Sequence, residues 1–299
     1  MKAMLGMIVS AGLLAAATPG LVAQSGPHVL VAGPVVSREL HYGPAPRQVA
    51  QLFEREKSRH APLIVYLHGG GWSAGTPRAG SAGAQADHFT GAGYAYATLG
   101  YRFVPDVSVE QQLADVAQGI ALLRRQKGVD ADDIVLLGHS SGGHLAALIG
   151  ADPAWLDKAG VPFEALKAVV LLDPAAIDIP PIMEAGRGIG TVARYYAPAF
   201  GDDPARQAAL SPLRHAEAPN AAAWLMLHDV NNPLAGMQSE QLSVALIAAG
   251  AREATVVPVQ DTTHLRLNDE IGRPGNSATV EIDAFLARVF PDRQRARFR

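Results

Sequence analysis

Four short, almost unbroken apolar runs govern what this chain can fold into: LIVYL at residues 63–67, IVLL at 134–137, AVVLL at 168–172 and AWLML at 223–227. A strand without polar alternation has both faces buried, as in a parallel sheet covered on two sides. Longer stretches at helical spacing lie between them. Residues 109–126 set Val109, Leu113, Val116, Ile120 and Leu123 on one face. Residues 144–149, 238–249 (stopped by Gly250) and 277–290 read as further helices, and 28–36, 94–99 and 254–259 as further strands. This alternation predicts an α/β chain with a doubly wound, mainly parallel sheet flanked by helices. Ligands of such sheets bind beyond the carboxyl ends of the strands. Two segments break the rhythm. Residues 75–84, rich in Gly and Ala, read as a loop. Residues 178–212 carry no clear strand and are a candidate small cap or lid; the spaced Gly186, Gly188 and Gly190 within them follow no strand, and read as loop, not as a nucleotide site.

Composition narrows the function classes. With 299 residues, 48% apolar and 18% charged, the chain can bury one large core and is too apolar for disorder. Its 25 basic and 28 acidic residues leave a net charge of −3, which argues against a broad nucleic-acid footprint. The absence of cysteine removes disulfides, thiolate metal sites and a cysteine nucleophile, and no His/Asp/Glu spacing resembles a metal-ligand set, so metal-dependent hydrolysis is not expected. Residues 1–23 read as an export signal: Lys2, an apolar stretch at 4–17, the breakers Thr18, Pro19 and Gly20, and Ala23 before a cut at Gln24. The expected product, residues 24–299, is a single domain in the periplasm or outside the cell, without stable membrane insertion. The four arginines beyond Pro291 read as a solvated tail.

Gly138-His139-Ser140-Ser141-Gly142 matches G-x-S-x-G, with a predicted strand before it and a predicted helix after it. That context puts Ser140 on a tight turn with its hydroxyl clear of the sheet, and points the helix N-terminus at developing negative charge. Upstream, His68-Gly69-Gly70-Gly71-Trp72 directly follows the 63–67 run. Glycines let backbone amides approach a substrate closely, so Gly70, Gly71 and Ser141 are the candidate oxyanion donors. His68 reads as a structural loop residue, and Trp72 as a pocket wall or packing residue.

HGGGW, Tyr101-Arg102 after a strand, and GHSSGGHLAAL at residues 138–148 resemble the α/β-hydrolase carboxylesterases. The likeness is to the bacterial feruloyl-esterase-like and hormone-sensitive-lipase-like groups, and kynurenine formamidases share a similar motif pair. The resemblance implies a serine hydrolase of small-molecule esters, needing no cofactor, with His264, past the last strand run, as the base. It also expects an acid shortly after the 223–227 run, where this sequence reads His228-Asp229-Val230-Asn231-Asn232-Pro233 and the usual position holds asparagine. Asp229 is the first candidate. Asp173, at the end of the preceding strand run, is the second. Asp261 lies close in sequence to His264, and a Ser–His dyad or an inactive site are the remaining outcomes. Residues 183–200, with Ile189, Val192, Tyr195, Tyr196 and Phe200, either line a pocket or pack as core. The leading expectation is ester hydrolysis through an acyl-enzyme. The alternatives are amide or formamide hydrolysis by the same mechanism, or a catalytically weak binding protein on a hydrolase scaffold. The oligomeric state is left open.

Overall fold

The structure, a computed structural model, describes residues 33–56, 58–77 and 81–291. The expected export signal and the arginine tail lie outside those residues, as does most of the expected 28–36 strand. Eight strands form one sheet: β1 (Val35–His41), β2 (Val49–Arg55), β3 (Ala61–Leu67), β4 (Ala95–Leu99), β5 (Val129–His139), β6 (Leu166–Leu172), β7 (Ala223–Asp229) and β8 (Glu253–Val259). Their order is β1-β2-β4-β3-β5-β6-β7-β8. β2 pairs antiparallel with both β1 and β4, and all other pairs are parallel.

The helices are α1 (Ser81–Gly91), α2 (Val109–Leu123), α3 (Ser141–Ala151), α4 (Ala154–Lys158), α5 (Ile179–Ala185), α6 (Ala197–Phe200), α7 (Pro204–Ala209), α8 (Pro233–Ala248), α9 (His264–Asp269) and α10 (Ser277–Val289). Alternate residues of the parallel strands feed two separate cores. Leu63, Val65 and Leu67 of β3 face one side, with Leu113 and Val116 of α2, Leu145 of α3 and Leu242 of α8. Ile64 and Tyr66 face the other, with Phe89 of α1, Leu267 of α9 and Phe285 of α10. Each fully buried Leu, Ile or Val contributes about 1.5–3 kcal/mol of transfer free energy. Every residue of α3 is buried, the polar Ser141 and His144 included.

The apolar runs therefore read correctly as central strands, and the elements at the margins differ. α1 begins at Ser81, inside the stretch expected to be a loop, and is held by Phe89 in the second core. β5 begins at Val129, ahead of its apolar run, because the polar residues before Ile134 extend as backbone and the register with β3 shifts there. β2 was not expected; its alternating burial belongs to an antiparallel strand, not to a buried parallel one. The 178–212 segment is built from α5, a π-helical turn at Val192–Tyr196, α6 and α7. Among the described residues no helix is long and apolar enough to cross a membrane.

Candidate active site

β5 ends at His139 and α3 begins at Ser141, so a single residue turns the chain. Ser140 takes φ 54° and ψ −119° to do so. A left-handed φ in a residue with a Cβ costs about 1–3 kcal/mol and persists only where the surroundings fix it. Here its N–H donates to the Leu172 carbonyl at 3.0 Å, and its carbonyl accepts from the amides of His144 at 3.1 Å and Ala175 at 3.2 Å. The turn also needs glycine beyond it: a Cβ on Gly142 would fall 2.2 Å from the Leu67 carbonyl oxygen.

The loop after β3 faces this turn. Gly71 has φ +59°, and a Cβ there would fall 2.4 Å from Cδ1 of Tyr195. Among the described residues the N–H groups of Gly70, Gly71 and Ser141 have no acceptor. His68 does not present itself as a base. It is buried, its ring stacks on Tyr101 at 4.5 Å, and its carbonyl accepts the Tyr101 hydroxyl at 2.6 Å. Burial pulls its pKa down to about 4. Trp72 is 1% exposed and lies edge-on to Tyr196 and Phe200. Its Nε1–H donates to Nδ1 of His144 at 3.2 Å, and His144 Nε2–H donates to the Leu210 carbonyl at 2.8 Å. Trp72 thus both packs and ties the glycine loop to α3 and to the β6–β7 insertion.

His264 opens α9, with the Thr263 side chain capping the helix. Its Nδ1–H donates to Oδ2 of Asp173 at 2.5 Å, and the Asp173 side chain is 0% exposed. A second restraint comes from His139, whose Nε2–H donates to the His264 carbonyl at 2.8 Å. Burial and the neighbouring His264 pull the His139 pKa down to about 4.

The structure does not bring Asp229, the first candidate for the acid, onto His264. Its Oδ1 accepts from the backbone and side-chain nitrogens of Asn231 at 2.9 and 3.1 Å, turning the chain into α8. Its contribution to the site is its backbone N–H, which donates to Asp173 Oδ1 at 3.3 Å. Asp261 is exposed. His228 bonds the Asp229 carbonyl. Asp173 instead follows β6 with φ 46°, its N–H on the Leu227 carbonyl at 2.7 Å. Asn232 completes its shell: Nδ2 donates to Asp173 Oδ2 at 3.0 Å while Oδ1 accepts from Ala235 N–H at 3.3 Å. Three donors thus converge on one buried carboxylate. The clamps by His139 and Asn232 were not legible in the sequence, because both act across the sheet edge.

Ser140, His264, Asp173 and the glycine loop line one cavity of about 830 Å³. Thr191, Arg194, Tyr195 and Tyr196 of the insertion form one wall, and Leu234 and Leu265 another part of the rim. Tyr195 lines it, whereas Phe200 is buried beneath as core. Among the described residues no three His, Asp or Glu side chains gather as a metal site.

Residues 51–166 match the BD-FAE family model. Over 118 residues the chain is 30% identical to Esterase LipC of Mycobacterium tuberculosis, covering 38% of this chain and 29% of that protein. A similar match, 30% over 118 residues, is to a probable isoprenylcysteine alpha-carbonyl methylesterase of Arabidopsis thaliana, covering 38% of this chain and 24% of the relative. The chain thus spans less than a third of either curated relative. Its fold is shared more widely. Esterase B of Lactobacillus rhamnosis superposes with a TM-score of 0.68 at 23% identity, over 86% of this chain and 85% of that one. Thermogutta terrifontis esterase 2 phosphonylated by sarin superposes with a TM-score of 0.66 at 23% identity, over 86% and 94% of the two chains. The chain has the α/β-hydrolase fold, and over 118 residues it is similar to proteins named as esterases.

Proposed function

We propose that the protein hydrolyses carboxylic esters through an acyl-enzyme on Ser140. One observation carries the reading: a serine on a strained strand-to-helix turn opens into the same cavity as a histidine whose Nδ1 proton is held by a buried carboxylate. The esterase names of the relatives support the bond type.

In this reading Asp173 keeps the His264 proton on Nδ1, which leaves Nε2 as the acceptor. Ser140 Oγ attacks the ester carbonyl carbon while its proton passes to Nε2. The carbonyl π pair moves onto oxygen, where the N–H groups of Gly70, Gly71 and Ser141 receive it; each such donor is worth about 3–4 kcal/mol of barrier. The intermediate collapses, the ester C–O bond breaks, and the alkoxide leaves with the Nε2 proton. Water then attacks the acyl carbon, giving its proton to Nε2, and Ser140 recovers that proton as the acid departs.

Hydrolysis of p-nitrophenyl acetate by the wild type and by Ser140→Ala tests the reading, together with fluorophosphonate labelling. Turnover and labelling both lost in the variant are expected. Equal turnover in the two proteins rejects Ser140 as the nucleophile. N-formyl arylamines, assayed in parallel, read the amide alternative. Export is part of the same proposal and rests on residues 1–23 alone; mature protein beginning at Gln24 is expected on N-terminal sequencing, and a retained Met1 rejects it.

A further inference from the structure

We infer that the cavity holds an anion subsite at Arg194, and that the preferred ester carries a carboxylate away from the scissile bond. This rests on the ester-hydrolase reading and adds the substrate class to it. Among the described residues the cavity lining contains one acid and one permanent cation. The acid, Asp173, has no exposed side-chain surface and is bonded to His264. The cation, Arg194, is exposed, and its guanidinium stands 5.2 Å from the ring centroid of Tyr195. No acidic side chain among the described residues pairs with it.

Position makes this charge relevant to a substrate. Tyr195 packs so closely on Gly71 that a Cβ there would overlap its ring. One aromatic ring therefore separates the guanidinium from the glycine loop that faces Ser140. Arg194 lies in the π-helical turn Val192–Tyr196, whose wider backbone is a common feature of functional sites. Two amide side chains of the lining are already committed. Gln238 bonds the backbone of Ile177 and Asp178. Asn232 bonds Asp173 and caps α8. Elsewhere the rim is uncharged: Ser73, Thr76 and Thr191 are exposed, as are Leu234 (43%) and Leu265 (65%). A ligand at this rim meets uncharged polar and apolar surface and one guanidinium that no acidic side chain among the described residues pairs. A planar guanidinium takes a carboxylate through two parallel N–H···O bonds.

The test compares esters that differ only in one carboxylate. 4-Acetoxybenzoate against its methyl ester places the charge on the alcohol side, and monomethyl against dimethyl adipate places it on the acyl side. The readout is the ratio of kcat/KM for the charged and the neutral member. In wild type one of the two ratios is expected to favour the charged ester. Arg194→Gln is expected to lower that ratio about fivefold or more, mainly through KM, and Arg194→Glu to lower it further. Added salt should erode the wild-type preference. Arg266→Gln, on an exposed helical arginine paired with Glu270 outside the cavity, should leave the ratio as it is. Ratios that are the same in wild type and Arg194→Gln for both pairs overturn the subsite. Loss of all ester turnover on Ser140→Ala reads the hydrolase proposal separately. Calorimetric binding of monomethyl adipate and 4-acetoxybenzoate to Ser140→Ala, with and without Arg194→Gln, reads the subsite without turnover; affinities independent of Arg194 overturn it as well.

Discussion

Asp173→Asn and Asp229→Asn should have very different effects on turnover, because only one of these carboxylates touches His264. Three donors converge on Asp173: His264 Nδ1–H and Asn232 Nδ2–H on Oδ2, and the Asp229 amide on Oδ1. An asparagine brings a single acceptor to this all-donor shell. If its oxygen replaces Oδ2, its NH2 faces the Asp229 N–H and the imidazolium formed during catalysis has no counter-charge. If its NH2 replaces Oδ2, His264 must accept at Nδ1, and Nε2 then carries the proton and cannot take another from Ser140. The first arrangement leaves the imidazolium unsupported and the second removes the base outright; in serine-protease triads the equivalent change costs about 10⁴ in turnover. We expect kcat/KM to fall about a thousandfold or more, or about 4 kcal/mol of transition-state stabilisation. Asp229→Asn keeps an oxygen for the Asn231 amide and should stay within about threefold. Steady-state p-nitrophenyl acetate kinetics, with thermal melts to confirm folding, read the difference. Adding Asn232→Asp to Asp173→Asn should recover at least about tenfold, since both side chains meet at the point where His264 bonds. A thousandfold loss in Asp229→Asn with Asp173→Asn nearly active would refute the assignment.

Other perturbations follow from the same contacts. Gly71→Ala places a methyl 2.4 Å from the Tyr195 ring and displaces a proposed oxyanion donor; kcat should fall about tenfold or more, and an unchanged kcat would remove Gly71 from that role. Trp72→Phe leaves His144 Nδ1 buried without its donor; at about 1–3 kcal/mol for an orphaned polar group, the melting temperature should drop by about 3–8 °C. His68, His139 and His144 each have a folded-state pKa of about 4, lowered chiefly by burial. The unfolded chain binds more protons between pH 4 and 6.5, so stability is full above about 6.5 and declines as pH falls towards 4, by up to about 3 kcal/mol per histidine. Denaturant midpoints measured across that range should fall; a flat profile would contradict the buried neutral rings.

The central strands and the nucleophile turn were legible because local sequence dictates them. A run such as LIVYL has nowhere to go but a doubly covered sheet, and the flanking glycines of GHSSG are demanded by contacts as close as Gly142 against Leu67. Short elements whose reasons are tertiary were not legible. β2 exists because β4 and β1 offer it edges, and α1 because Phe89 finds a place on the sheet. The order of the two candidate carboxylates has a related cause: the one that bonds His264 is Asp173, the second candidate. Reading along the chain favours the loop after β7, where Asp229 is the nearest carboxylate, and cannot see that Asn231 already occupies it.

What the site requires of its acid is a place at the sheet edge, and two neighbouring strands can supply that place. β6 and β7 run parallel with Leu172 opposite Leu227, so the residues following them emerge side by side. Asp173 leaves β6 with its N–H on the Leu227 carbonyl and a left-handed φ that turns the chain at the sheet edge. The β7 loop then provides donors in place of a carboxylate: the Asp229 amide on one oxygen and the Asn232 amide on the other. An aspartate at 232 beside Asp173 would set two carboxylates about a hydrogen bond apart, forcing one to stay protonated. Asparagine at 232 therefore follows from the acid's seat on β6. The same reasoning makes Asn232→Asp alone harmful and Asn232→Asp with Asp173→Asn restorative, a sign reversal that a purely structural role for Asn232 would not produce.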